Sequence, residues 1–82
     1  MKAFEQLERL KRMNRLIKEE RTGTPEEFAT RLNIGRRRLY ELLDDFREMG
    51  VLIEYSKLRN TYYYKNGHEI ELNFSFKVIT RE

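Results

Sequence analysis

The period of the hydrophobic pattern changes once along this chain, at Gly50. Before it, apolar residues return at three- and four-residue steps, the spacing of one helical face. After it they alternate with polar residues, the spacing of a strand with one buried face. With 82 residues the chain amounts to a single domain, 1–82, so both halves must share one core. Helices first and strands last, with no strand–helix–strand alternation, predict an α+β fold, mainly α.

Three helices are expected. Phe4, Leu7, Leu10, Met13 or Leu16, and Ile17 define an apolar face over roughly Lys2 to Glu20, with Lys2, Arg9, Lys11, Arg12, Arg15 and Lys18 mostly off it. That basic face is either a solvated surface or one that touches phosphate. Gly23 interrupts the pattern and Thr24-Pro25-Glu26-Glu27 restarts it. The Thr24 hydroxyl can accept from the Glu27 N–H while the Glu27 carboxylate reaches back to the Thr24 N–H, and Pro25 occupies the first helical position, where a missing N–H costs nothing. Phe28, Ala29 and Leu32 carry the second helix to about Leu32. Asn33 suits a left-handed stop, and Ile34 is an apolar plug in the turn.

The third helix begins after Gly35 and turns Leu39, Leu42, Leu43 and Phe46 inward, with Met49 a further candidate, ending where Gly50 supplies a positive φ. Its charges are placed against helix stability. Arg36, Arg37 and Arg38 crowd the first turn, where the macrodipole favours acids, while Glu41, Asp44, Asp45 and Glu48 fall in the middle and second half. Local stability is sacrificed there, either for an external anion or for ion pairs with Glu26 or Glu27 of the preceding helix.

Beyond Gly50, Val51, Ile53 and Tyr55 form a first strand, 56–60 a polar turn, and Thr61-Tyr62-Tyr63-Tyr64-Lys65 a second strand rich in β-formers. Asn66-Gly67 is a strong type I′ hairpin signal. Ile70, Leu72, Phe74, Phe76 and Val78 then alternate in a third antiparallel strand at about 68–79. Alternation sets Tyr63 on the face opposite Tyr62 and Tyr64, which suits a mixed core and sheet-surface role better than a base-stacking platform. The third strand outruns its partner. Its apolar far end predicts either a homodimer through that strand, with helix 1 contributing, or coverage by helix 1 within the monomer.

Two helices joined by a tight turn, the second with a basic exposed turn, make a helix-turn-helix over about 24–49. With a helix before it and a hairpin, or wing, over about 51–65, the pattern is a winged helix-turn-helix of three helices and a three-stranded antiparallel sheet. The run from Gly23 to Leu43, T-P-E-E-F-A-x-x-L-x-I-x-R-R-x-L-Y-x-L-L at its core, continued by Asp44-Asp45-Phe46-Arg47-Glu48-Met49-Gly50-Val51-Leu52, resembles the DNA-binding domains of DeoR-type bacterial transcriptional regulators. The resemblance covers roughly residues 4–65. It implies that the helix from Arg36 is a recognition helix and that 56–60 is the wing tip. Arg36, Arg37, Arg38 and Tyr40 are then the expected major-groove and phosphate contacts. Lys57 and Arg59 would touch a neighbouring phosphate or the minor groove, and Thr24 could offer its hydroxyl to a phosphate. Family members usually carry Ser or Thr where Gly35 stands, so a cap hydroxyl is missing here. They also commonly carry a C-terminal effector domain, for which this chain is too short.

Composition narrows the alternatives. The 17 Lys and Arg against 14 Asp and Glu give a net charge of only +3, with the excess in residues 1–22, which hold seven basic and four acidic residues. That permits double-stranded DNA as a partner without demanding it, and leaves a protein-interaction module as the rival. No cysteine and one histidine, His68, exclude disulfides, thiol nucleophiles and Cys- or multi-His metal cages; no cofactor is expected. No nucleophile–base pair or glycine-rich phosphate loop suggests an enzyme. With no leader-like or membrane-spanning apolar run, a soluble, cytoplasmic protein is expected.

Overall fold

A computed structural model of the chain describes residues 2–65, which fold into three helices followed by a two-stranded antiparallel sheet. Helix α1 spans Lys2–Lys18, α2 Pro25–Arg31 and α3 Arg36–Glu48; strand β1 is Ile53–Ser56 and β2 Thr61–Tyr64. The third strand expected at 68–79, and the homodimer built on it, lie outside the described residues. Among the described residues no helix is long and apolar enough to cross a membrane.

Each helix stops on a residue whose backbone turns left-handed: Glu20 after α1 (φ 56°), Asn33 after α2 (φ 57°) and Gly50 after α3 (φ 102°). The stops at Asn33 and Gly50 match the sequence expectation, whereas α1 ends two residues early because Glu20 itself takes the left-handed turn. At the first two ends the orphan carbonyls are closed by paired bonds. Glu20 N–H donates to Ile17 O at 3.1 Å and Arg21 N–H to Leu16 O at 2.9 Å; Asn33 N–H donates to Thr30 O at 3.1 Å and Ile34 N–H to Ala29 O at 3.0 Å. Arg9 completes the end of α2 from outside, its Nε donating to Leu32 O at 3.1 Å. One cation of the basic face of α1 is therefore structural.

The core draws Met13 and Ile17 from α1, Phe28, Ala29 and Leu32 from α2 and its cap, Leu39, Leu42, Leu43 and Phe46 from α3, and Val51, Ile53 and Tyr62 from the sheet region. Leu10 and Leu16 pack at its margin. Phe4, expected on the apolar face, is 49% exposed, because only the C-terminal half of α1 reaches this cluster.

In the sheet, Ile53 pairs with Tyr64, Glu54 with Tyr63, Tyr55 with Tyr62 and Ser56 with Thr61. Ile53, Tyr55, Tyr62 and Tyr64 therefore share the inner face, and Glu54 and Tyr63 the outer, as alternation requires. The Tyr62 ring lies 5.0 Å from that of Tyr55 and 5.7 Å from that of Phe28, centroid to centroid. The burial that this packing imposes raises the Tyr62 phenol above its ordinary range.

Three polar ties hold the hairpin to the helices. Arg47 donates from Nε and Nη2 to Ile53 O at 3.3 and 3.1 Å, and the Tyr64 hydroxyl donates to Asn14 Oδ1 at 2.6 Å. The third tie is fully buried. Tyr62 N–H donates to Thr22 Oγ1 at 2.8 Å, Thr22 N–H donates to Thr61 Oγ1 at 3.2 Å, and the two hydroxyl oxygens lie 3.1 Å apart. The α1–α2 linker thus runs beside β2, joined to it by threonine hydroxyls where a third strand would use backbone carbonyls.

Thr22→Val preserves the shape of the side chain but leaves the buried Tyr62 N–H without an acceptor. The expected loss is about 1–3 kcal/mol of unfolding free energy in a denaturant titration, and an unchanged midpoint would refute the tie.

Candidate functional site

Gly35 caps α3 with an extended backbone (φ −80°, ψ 164°) and no side-chain hydrogen bond, so the first-turn N–H groups rely on no hydroxyl. Immediately after it Arg36, Arg37 and Arg38 are all exposed. Their environments differ. Arg36 Nη2 donates to the Tyr40 hydroxyl at 3.4 Å, and its guanidinium carbon sits 6.0 Å from the Tyr40 ring centroid. The Tyr40 hydrogen bond and charge, with smaller through-space help from Glu26 and Tyr62, raise the Arg36 pKa further. Arg36 accordingly lies within electrostatic range of the first turn of α2 and of β2.

Arg38 pairs with Glu41 at 3.3 Å, one turn along the same helix. Pairing of the three arginines with Glu26 or Glu27 is not what the described residues show. Arg36 is held by Tyr40, Arg38 by Glu41, and Glu27 by the cap of α2. Arg37 projects from the outer face, and none of the described side chains holds its guanidinium. Along that face Arg37, Glu41, Asp44 and Glu48 follow at helical spacing, all exposed, with Asp44 paired to Arg47 at 3.2 Å. One end of the stripe is cationic and the remainder acidic.

Thr24 performs the capping role read from its spacing. Its Oγ1 accepts from Glu27 N–H at 3.2 Å and its own N–H donates to Glu27 Oε1 at 3.1 Å. The Thr24 N–H, aided by the Thr24 hydroxyl and then Arg31, holds the Glu27 carboxyl below the ordinary glutamate range against a small burial penalty.

At the tip of the hairpin Lys57 is exposed and Leu58 still more so, at 95%. Arg59 behaves differently from the expectation. It folds back to pair with Glu20 at the end of α1 and lies over the Tyr63 ring, 5.1 Å from the centroid. Of the two cations expected at the tip, Lys57 faces outward and Arg59 braces the loop. On the outer face of the sheet, hydrogen bonding and charge from Lys65, followed by the Tyr63 hydroxyl, lower the Glu54 pKa.

A chain of contacts links these parts: Glu20 meets Arg59 at the hairpin tip, the buried Thr22 binds the start of β2, and Thr24 caps α2. No protein-family model, curated protein or solved structure matches the chain. The chemistry that the described residues offer is a cationic helix start, a capped second helix start and a cation-bearing tip. Sequence reasoning missed Arg47, Glu20 and Leu58 here. Arg47 and Glu20 act through partners that only the folded chain brings close, and Leu58 looks like an ordinary turn residue until its exposure is known.

Two substitutions test the local chemistry. Glu27 has a depressed folded-state pKa, so its stabilising effect is fully present above the unfolded glutamate value and is lost as pH falls through the folded one. The stability gap between the parent and Glu27→Gln should shrink on acidification in parallel denaturant titrations; a gap independent of pH would show that the carboxylate form is unimportant. At Gly35 a side chain would meet nothing within 4 Å and the φ is ordinary, so Gly35→Ser should raise stability by a few tenths to about 1 kcal/mol. A lower melting temperature for that variant would mean that the open space is not available.

Proposed function

We propose that the chain is a winged helix-turn-helix of the DeoR type that binds double-stranded DNA as a small transcriptional regulator, with the first turn of α3 in the major groove. The observation that carries this is the arginine cluster in the first turn of α3, where the helix dipole disfavours cations by a few tenths of a kcal/mol each. No described carboxylate outside α3 pairs with it, and the internal return is limited to the exposed Arg38–Glu41 pair and the Arg36–Tyr40 contact. An external polyanion would offset the remainder.

Within this proposal the three arginines take separate roles. Arg37, exposed and unheld, is the base reader, its fork matching O6 and N7 of guanine. Arg36, stiffened by Tyr40, and Arg38, tethered to Glu41, contact phosphates on either side, which fixes the register of the helix without reading sequence. Lys57 reaches the backbone from the wing tip, while Arg59 positions the wing through Glu20 and Tyr63. Thr24, at the start of α2, is a further phosphate contact in this reading. The acids beyond the first turn, Glu41, Asp44 and Glu48, repel phosphate, so α3 enters by its N-terminal end and its remainder tilts away from the duplex.

That same acidic stripe favours a second reading, a winged helix used to dock a basic protein surface. Binding across a salt series separates the two. On a duplex enriched from a random pool, Arg37→Ala should lose about 1–3 kcal/mol, roughly ten- to hundredfold in affinity, and Arg37→Lys should not restore it because a lysine cannot make the paired contact. Removing Arg36 or Arg38 should weaken all duplexes alike and lower the salt slope by about one for each phosphate no longer neutralised. A parent protein with no salt-dependent affinity for any duplex would overturn DNA binding and leave the docking reading.

A further inference from the structure

The tip of the hairpin exposes its one leucine. A four-residue loop, Lys57 to Asn60, joins β1 to β2 beside two aromatic rings, Tyr55 and Tyr63. Apolar burial would lay the leucine of such a loop on an aromatic ring and leave the arginine in water. Here Arg59, itself still exposed, lies over Tyr63, 5.1 Å from the ring centroid, and Leu58 stands 95% exposed.

Looseness does not explain that exposure, because the loop is fastened on both sides. Ser56 Oγ accepts from Arg59 N–H at 3.1 Å, the Tyr55 hydroxyl donates to Asn60 Oδ1 at 3.3 Å, and Arg59 pairs with Glu20 of the neighbouring linker. Asn60 closes the turn with a left-handed backbone, φ 53°. Leu58 is thus presented by a braced support, with exposed Lys57 directly before it. A cation beside a braced and exposed apolar side chain suits a ligand that is anionic at its rim and apolar within. A nucleic-acid groove has that character: phosphates along the edge and stacked base faces inside.

We propose that Leu58 is an apolar wedge that enters the minor groove of the bound duplex and partly unstacks one base step, while Lys57 holds the adjacent phosphate. This rests on the DNA-binding reading above and adds to it a deformation of the DNA. Flexible pyrimidine–purine steps are the cheapest to open, so the wedge supplies sequence preference at a position where no hydrogen bond is made. Arg59 and Glu20 act as positioning residues, keeping the leucine pointed outward.

The test uses the full chain and the duplex enriched from a random pool, with a fluorescent purine analogue whose emission rises on unstacking placed in turn along the flank beside the recognition-helix site. Binding of the parent should brighten the analogue at one step only. Leu58→Ser should abolish that signal and weaken binding roughly tenfold, about the effect of losing one buried aliphatic side chain, while the footprint of α3 is retained. Its circular dichroism melting curve should match that of the parent, since the residue is almost wholly exposed in the fold. Leu58→Phe, which keeps a wedge, should keep the signal. Tight binding by the parent with no brightened step, or brightening retained in Leu58→Ser, overturns the wedge and leaves DNA binding standing. A parent that binds no duplex overturns both together.

Discussion

The placement of the hairpin depends on a buried polar contact between two residues 39 positions apart, Thr22 and Thr61. A two-stranded hairpin is marginal by itself in water, and β1 and β2 have only four residues each. Their inner face packs on the helices, but apolar packing is not directional and would tolerate sliding. The threonine hydroxyls remove that freedom. Each can donate as well as accept, so the pair takes the Tyr62 and Thr22 N–H groups while its own hydrogens go to each other's oxygen or to the Gly23 and Tyr62 carbonyls, 2.9 Å away. With Arg47 on the Ile53 carbonyl and Tyr64 on Asn14, the hairpin is pinned to the linker, α3 and α1 in turn.

From that pinning follows the geometry of the candidate site. The linker that lies along β2 leads within two residues to the cap of α2. The tight turn at Asn33 then sets α3 against α2. The start of α2, the start of α3 and the hairpin are consequently tied to one small core, although they are separate in sequence. Under the DNA-binding proposal, a duplex engaged at the first turn of α3 would meet a hairpin already fastened to the helices, so little ordering would oppose association.

Features set by neighbours within a few residues were legible from the sequence alone. The Thr24–Glu27 cap spans four residues, and its bonds need only a local helical turn. Asn33 and Gly50 stop their helices for reasons of backbone sterics alone, and alternation around Ile53 and Tyr62 needs only one buried face. The missing parts were all long-range. Nothing in the spacing of Thr22 marks it as a partner of Thr61, since a threonine in a linker is usually solvated. Arg59 looked like a free cation because Glu20 is 39 residues away in sequence, and Phe4 looked like core because periodicity does not say how far a helix overhangs its neighbours. Among the three arginines, spacing could not separate roles that depend on whether Tyr40 or Glu41 takes hold of each one.

The charge order of α3 has an evolutionary and practical consequence. An arginine-rich start and an acid-rich remainder set the helix against its own dipole, so the simplest stabilising changes are acids at 36–38 and bases at 44–48. Selection for thermal robustness alone would find those changes first. The same changes would erase the cationic patch. A library of this domain sorted by survival at high temperature should therefore drift away from the first-turn arginines, whereas one sorted for the proposed DNA binding should keep them.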